Sequence, residues 1–195
     1  MSEKNPKRDD LTPDYTLITD FLSPDTADQN FNTLSNELEW RQDQIKMFGK
    51  LVAIPRLQNF MGDPGIRYRY SGLTLTASGW HPVVKKIKEL AEAASNTEFN
   101  AVLINLYRDG QDSMGWHKDD EPELGPEPTI VSVSLGATRR FLLRAADKTQ
   151  HELLLNSGSL LVMGPELQKH WQHSIPKTRK QIGPRINLTF RKIVQ

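Results

Sequence analysis

Between residues 99 and 193 the apolar positions fall in short runs, several alternating with polar ones. The runs are FNAVLINLY (99–107), TIVSVSL (129–135), RRFLLR (139–144), HELLL (151–155), SLLVMG (159–164), HWQHSI (170–175) and RINLTFRKI (185–193). Gly, Pro, Asn and Asp separate them. Short runs of period two, broken by turn residues, predict half-buried strands, and several in succession predict a sandwich or barrel such as a jelly roll. The first half has a different rhythm. SPDTADQNFNTLSNELEW predicts a helix, with Ser23 as N-cap, Pro24 at the first helical position, and Phe31, Leu34 and Leu38 at helical spacing. A second helix follows His81 and Pro82, with Val83, Val84, Ile87, Leu90 and Ala91 as its apolar stripe. The expected fold class is α+β: a mainly β core with N-terminal helices packed on one sheet, preceded by a loose polar segment over 1–12.

The last strand carries the most informative alternation. Arg185, Asn187, Thr189 and Arg191 share one face, and Ile186, Leu188 and Phe190 the other. A solvated outer face is one explanation. A pocket for a dicarboxylate is the other, because Arg forms bidentate pairs with carboxylates. Upstream, Asn105 and Tyr107 share one face of another predicted strand.

Within GWHKDDEPELG (115–125), His117 and Asp119 stand two apart. On extended backbone both side chains leave the same face and can reach one divalent metal. A charge run of this kind is also what a plain solvated loop looks like. A third ligand is needed. His173 in KHWQHSIP is the candidate, and His170, on the opposite face, is its rival; a strand histidine satisfied by backbone is the alternative. Two histidines and one carboxylate form the facial set that leaves open positions on non-haem Fe(II).

Composition narrows the classes. The chain has 195 residues, 37% hydrophobic and 25% charged, and no cysteine. That size suits one substantial core. Without cysteine there is no disulfide, thiolate nucleophile or Cys-ligated zinc, which fits a cytoplasmic protein. No run of about 18 apolar residues predicts a membrane span, and the first residues do not read as a signal peptide. The net charge is +1, yet residues 139–195 carry 11 basic and 3 acidic side chains. Such a basic third is the footprint expected of a polyanion site, or of a charged surface without a partner.

INLYRDG, GWHKDDE, SVSLGATRRFLLR, GSLLVM, HWQHSIP and PRINLTFRK, in this order, with IPR and YSGLTL upstream, resemble the AlkB family of Fe(II)- and 2-oxoglutarate-dependent dioxygenases. The likeness covers about residues 45–193 and is nearest to the branch that repairs alkylated bases in duplex DNA. It implies a double-stranded β-helix over 99–195 within a single dioxygenase domain spanning 13–195, with helices and nucleotide-recognition hairpins over 13–98. It implies Fe(II) on His117, Asp119 and His173, and O₂ and 2-oxoglutarate as further cofactors. Arg185, helped by Tyr107, would take the far carboxylate of 2-oxoglutarate, while Asn105, Asn187 and Arg191 would hold its metal-side end, and Thr189 would also belong to the cofactor-binding residues. The implied reaction is demethylation of 1-methyladenine and 3-methylcytosine, with 2-oxoglutarate becoming succinate and CO₂ and the methyl group leaving as formaldehyde.

The resemblance also implies a DNA surface, for duplex and single strands, with the alkylated base flipped into the site. Tyr70 would stack on that base, with Tyr68 beside it and Arg67 and Arg69 on the opposite strand face. Glu121, assisted by Asp120, would meet the exocyclic nitrogen. Lys177, Arg179, Lys180 and Arg56 would contact phosphates. In IKMFGKL (45–51), Phe48 is the expected finger that fills the gap left by the base; the alternative is an apolar hairpin tip tucked into the core. The same chemistry on RNA or etheno lesions, and a hydroxylase of other substrates, are the rival readings. The protein is expected to be a monomer without a membrane partner, at the nucleoid in a bacterium or the nucleus in a eukaryote.

Overall fold

The computed structural model describes residues 12–47, 49–70 and 72–194, with backbone alone for Lys46, Met47, Tyr70 and Leu73. The predicted alternation becomes two antiparallel sheets facing each other. The larger joins β1 (Tyr15–Ile18), β12 (Leu160–Met163), β9 (Ile130–Gly136), β14 (Arg185–Arg191), β7 (Ala101–Tyr107) and β4 (Leu57–Gly62), in that order. The smaller joins β11 (Gln150–Leu155), β10 (Arg139–Ala145), β13 (Trp171–Ile175) and β8 (Met114–His117). Two hairpins stand apart from these sheets: β2 (Gln44–Met47) with β3 (Lys50–Ala53), and β5 (Arg67–Tyr70) with β6 (Leu73–Thr76). This is the jelly-roll core expected of the sequence.

Helices cover the outer face of the large sheet. α1 (Pro24–Glu37) starts as predicted, with Ser23 Oγ accepting a bond from the Thr26 amide at 3.3 Å. α2 (Pro82–Ser95) is capped by His81, whose Nδ1 accepts from the Val83 amide, and closes on left-handed Asn96. Leu34, Val84, Ile87 and Ala91 bury against Val102, Ile104, Val131, Val133, Ile186, Leu188 and Phe190. Full burial of each large apolar side chain is worth roughly 1.5–3 kcal/mol. This layer therefore fixes which face of β14 points outward, and the polar face must point between the sheets. A second apolar cluster, including Leu103, Phe141, Leu143, Leu161 and Trp171, fills the space between the sheets.

Three expectations are corrected. Leu90 is 43% exposed and lies off the buried stripe of α2. The strand expected over 170–175 begins at Trp171, because the preceding residues form α3 (Pro165–His170), a short helix opened by Pro165 and too brief to show a period. β1, β4 and β8 are strands that the hydrophobic pattern did not single out. Residues 1–11, and with them most of the expected loose segment, lie outside the described residues. No helix among the described residues is long and apolar enough to cross a membrane.

Candidate active site

β8 and β13 pair so that His117 stands opposite His173, their rings 4.2 Å apart. Asp119 follows two residues after the end of β8 and is buried, with its Oδ2 3.9 Å from His173 Nε2. One ligand atom from each of the three lies within 4.8 Å of the others. The sequence motif His-x-Asp with a distant His is thus assembled across a strand pair. His170, the rival, sits on α3 and pairs with Glu166 at 3.1 Å, far from any ligand role.

The protonation states suit a divalent cation. His117 Nδ1 lies 2.9 Å from the Gly115 carbonyl, so the N–H donates there and Nε2 keeps its lone pair. Burial, with His117 alongside, pushes His173 down to about 3. Burial also lowers His117. Burial alone would raise Asp119, but Arg191 and the two imidazoles outweigh it and hold the carboxyl well below the usual range. Two neutral imidazoles and one carboxylate are the forms a metal binds, with no proton to displace.

The polar face of β14 continues the site. Arg185, Asn187, Thr189 and Arg191 are all buried, so the solvated-face alternative fails. Arg191 Nη2 donates to Asp119 Oδ1 at 2.8 Å. Arg185 is different. Its Nη2 donates to Ser134 Oγ at 2.8 Å, while Nε and Nη1 have no hydrogen-bond partner among the described residues. Among the described residues no carboxylate forms an ion pair with it, and burial pushes it down to about 10. A buried cation without a counter-charge costs several kcal/mol. The fold maintains this charge beside Tyr107, whose ring centre lies 5.4 Å from the guanidinium carbons of both Arg185 and Arg139. Asn187 Nδ2 donates to Ser132 Oγ at 2.7 Å, and Thr189 Oγ1 donates to Asn187 Oδ1. One cavity runs from the His117–Asp119–His173 group to Arg185, bordered by Asn105, Tyr107 and Thr189. The donor set fits Fe(II), and the buried Arg185 guanidinium, with no carboxylate partner among the described residues, fits the far end of a dicarboxylate anchored on that metal.

The expected base-binding residues divide. Tyr68 is fully buried, stacked on Phe60 at 5.9 Å and under the Arg191 guanidinium at 5.5 Å, while Arg67 and Arg69 on the other strand face are exposed. Tyr68 and Glu121 influence each other electrostatically; burial, reinforced by Asp119, raises Glu121, and burial raises Tyr68. Of Tyr70 only the backbone in β5 is described. Lys177, Arg179 and Lys180 are exposed on the loop between β13 and β14. Phe48 lies outside the described residues, but neighbouring Leu51 and Val52 are 71% and 43% exposed, so β3 does not tuck its apolar residues into the core.

Two assignments are corrected. Arg56 is only 4% exposed and donates from Nε to Asn105 Oδ1 at 2.9 Å. It buttresses a site residue and is not placed to meet a phosphate. Asp120 is exposed and borders an outer groove with Lys118, Gln168 and Lys169, and it does not line the cavity that holds His117, Asp119 and His173. Four contributors went unread in the sequence: Ser132 and Ser134, which anchor Asn187 and Arg185, Arg139, and Gln168. The serines had a signal, since both interrupt an apolar strand at the same alternation as the β14 face.

Comparison with known proteins gives a consistent result. The model of the family described as the 2OG-Fe(II) oxygenase superfamily matches residues 14–191. The mouse protein named DNA oxidative demethylase ALKBH2 is 40% identical over 196 residues, covering 94% of this chain and 81% of that protein. The human protein of the same name is 42% identical over 180 residues, covering 86% and 69%. The bovine alpha-ketoglutarate-dependent dioxygenase alkB homolog 3 is 38% identical, covering 91% and 65%. Among solved structures, that of OsALKBH1 superposes with a TM-score of 0.67 at 23% identity, over 93% of this chain and 99% of that one, which supports the fold.

Proposed function

This chain belongs to the 2OG-Fe(II) oxygenase superfamily, in the AlkB branch of DNA repair, and on that premise we propose that it removes methyl groups oxidatively from alkylated bases in DNA. The observation that carries this reading is the pairing, in one cavity, of a His–Asp–His ligand set with the unmatched donors of Arg185. A metal site alone would suit many proteins. A metal site that faces a buried cation with no carboxylate partner among the described residues suits a chelating dicarboxylate.

Fe(II), 2-oxoglutarate and O₂ together supply the oxidising power: the cosubstrate becomes succinate and CO₂, one oxygen atom reaches the methyl carbon, and that carbon departs as formaldehyde. His117, Asp119 and His173 would hold the metal. Arg185 and Tyr107 would fix the far carboxylate of the cosubstrate, and Asn105, Asn187, Thr189 and Arg191 the polar wall about its metal end. Asp119, His173, Arg185 and Arg191 are buried between the sheets, where each fixed charge acts more strongly than it would in solvent.

The substrate end of the site is built from Glu121 and Tyr68. Methylation at N1 of adenine or N3 of cytosine leaves the base cationic, and a half-buried carboxylate suits such a base. The methyl group lies on the Watson–Crick edge, so the base must leave the stack to reach the metal, whether from a duplex or a single strand. Lys177, Arg179 and Lys180 stand where exposed cations could meet phosphates; such contacts position DNA without reading its sequence. Mass spectrometry of oligonucleotides carrying 1-methyladenine, single-stranded and duplex, tests the proposal in the presence of Fe(II), 2-oxoglutarate and ascorbate. Conversion to unmodified adenine is expected on both. Succinate formation that is independent of the lesion, with the methyl group retained, would contradict it.

A further inference from the structure

β8 ends at His117, so no strand ladder fixes the backbone of Asp119. Arg191 clamps its carboxylate from one side. The other hold is on the peptide. The Asp119 N–H donates to the side-chain carbonyl of Gln168 at 3.1 Å, inside the protein. A residue away, Lys118 Nζ donates to the Lys169 carbonyl at 2.6 Å. Both acceptors belong to α3, whose last residue directly precedes β13 and His173. The same short helix therefore leads into one ligand and clips the loop that carries another. Leu167 and Trp171, both buried, root it in the core.

Gln168 is an unusual choice for such a place. It is 2% exposed, and its Nε2 has no partner among the described residues. A buried amide donor left unpaired costs stability of the same order as its paired carbonyl contributes. For packing alone, an apolar side chain of equal length would serve as well or better. Among the described residues the carbonyl has one partner, the Asp119 amide, and that accounts for the residue. We infer that Gln168 is a positioning residue for the metal site: it orients the Asp119 carboxylate by holding that residue's backbone, so that α3 sets the spacing of Asp119 and His173 together. The inference rests on the reading of His117, Asp119 and His173 as the metal ligands. Groups that orient ligands in this manner typically change metal affinity about 10- to 100-fold when removed.

Gln168→Met keeps length and volume but removes the acceptor. Gln168→Glu keeps an acceptor oxygen and removes the unpartnered donor. Mn(II) is titrated into metal-free wild type, Gln168→Met, Gln168→Glu and His173→Ala, with binding followed by electron paramagnetic resonance, and each metal-free melting temperature is measured. Gln168→Met is expected to bind Mn(II) about 10- to 100-fold more weakly, with its melting temperature unchanged or raised. Gln168→Glu is expected to bind close to wild type. Wild-type affinity in Gln168→Met, beside lost binding in His173→Ala, overturns the inference and leaves the metal site standing. Equal binding by wild type and His173→Ala overturns the metal site itself. Weakened binding and a lowered melting temperature in both Gln168 variants also overturn the inference, since disturbed packing then explains both.

Discussion

Arg191 and Asp119 form a buried ion pair, Nη2 to Oδ1 at 2.8 Å, that joins the middle of the large sheet to the loop leaving the small one. Its geometry leaves Asp119 Oδ2 turned toward His173. One carboxylate thus has one oxygen committed to a protein cation and the other at the ligand set. Arg191→Met would strand the carboxylate without its counter-charge. Removing one member of a buried pair typically costs about 3–5 kcal/mol. Calorimetry of the metal-free variant should show a fall in melting temperature of roughly 6–20 °C, and Mn(II) should restore more of it than it adds to wild type. An unchanged melting temperature would mean that solvent reaches the pair.

Arg185 is buried with no carboxylate partner among the described residues, and on the proposed reading it meets the far carboxylate of the cosubstrate. Arg185→Lys keeps the charge and loses the planar fork. The KM for 2-oxoglutarate should rise roughly 10- to 100-fold, the scale of one or two lost charge-assisted bonds. At saturating cosubstrate kcat should change much less. Steady-state succinate formation measures both, and an unchanged KM would remove Arg185 from the cosubstrate site.

Stability should depend on pH through the ligands. His173 titrates near 3 in the folded protein against an ordinary 6.5, so below about 6.5 the unfolded chain binds a proton that the folded chain refuses. The contribution of the neutral imidazole is complete above 6.5 and is lost as pH falls toward 3. The slope is about 1.4 kcal/mol per pH unit for one such group. Asp119, also depressed, adds to the loss below the ordinary carboxyl range. Urea melts of the metal-free protein at several pH values should follow this slope, and His173→Ala should flatten it between 6.5 and the carboxyl range. An equal slope in that variant would assign the effect to other groups.

Phe48 lies outside the described residues; in the sequence it falls between β2 and β3, and Leu51 and Val52 of β3 are exposed. Flipping a base costs a few kcal/mol of stacking and pairing, and an inserted ring offsets part of it. Phe48→Ala should slow repair of duplex DNA far more than of single strands and leave the melting temperature nearly unchanged. Equal losses on both substrates, or a large fall in melting temperature, would make Phe48 a core residue.

The legible and illegible parts of the site differ for physical reasons. His117, Asp119 and His173 could be read because strand alternation puts residues two apart on one face and histidines are few. The β14 face could be read as polar, but alternation alone does not say which face is inside. That was decided by α1 and α2, which cover Ile186, Leu188 and Phe190 and turn both arginines inward. Arg56 looked like a surface cation because a buried arginine and an exposed one are the same letter; its partner Asn105 is 49 residues away. Gln168 lies on a helix of 6 residues, too short to impose a period, and its contact spans 49 residues.

The central claim is that this cavity demethylates DNA through His117, Asp119 and His173. The most direct measurement is the mass of a duplex oligonucleotide bearing one 1-methyladenine, before and after incubation with Fe(II), 2-oxoglutarate and O₂, for wild type, His173→Ala and His170→Ala. Wild type and His170→Ala should return the unmodified strand with formaldehyde and succinate in equal amounts, and His173→Ala should leave the methyl group in place. Full repair by His173→Ala, or none by wild type, would contradict the account.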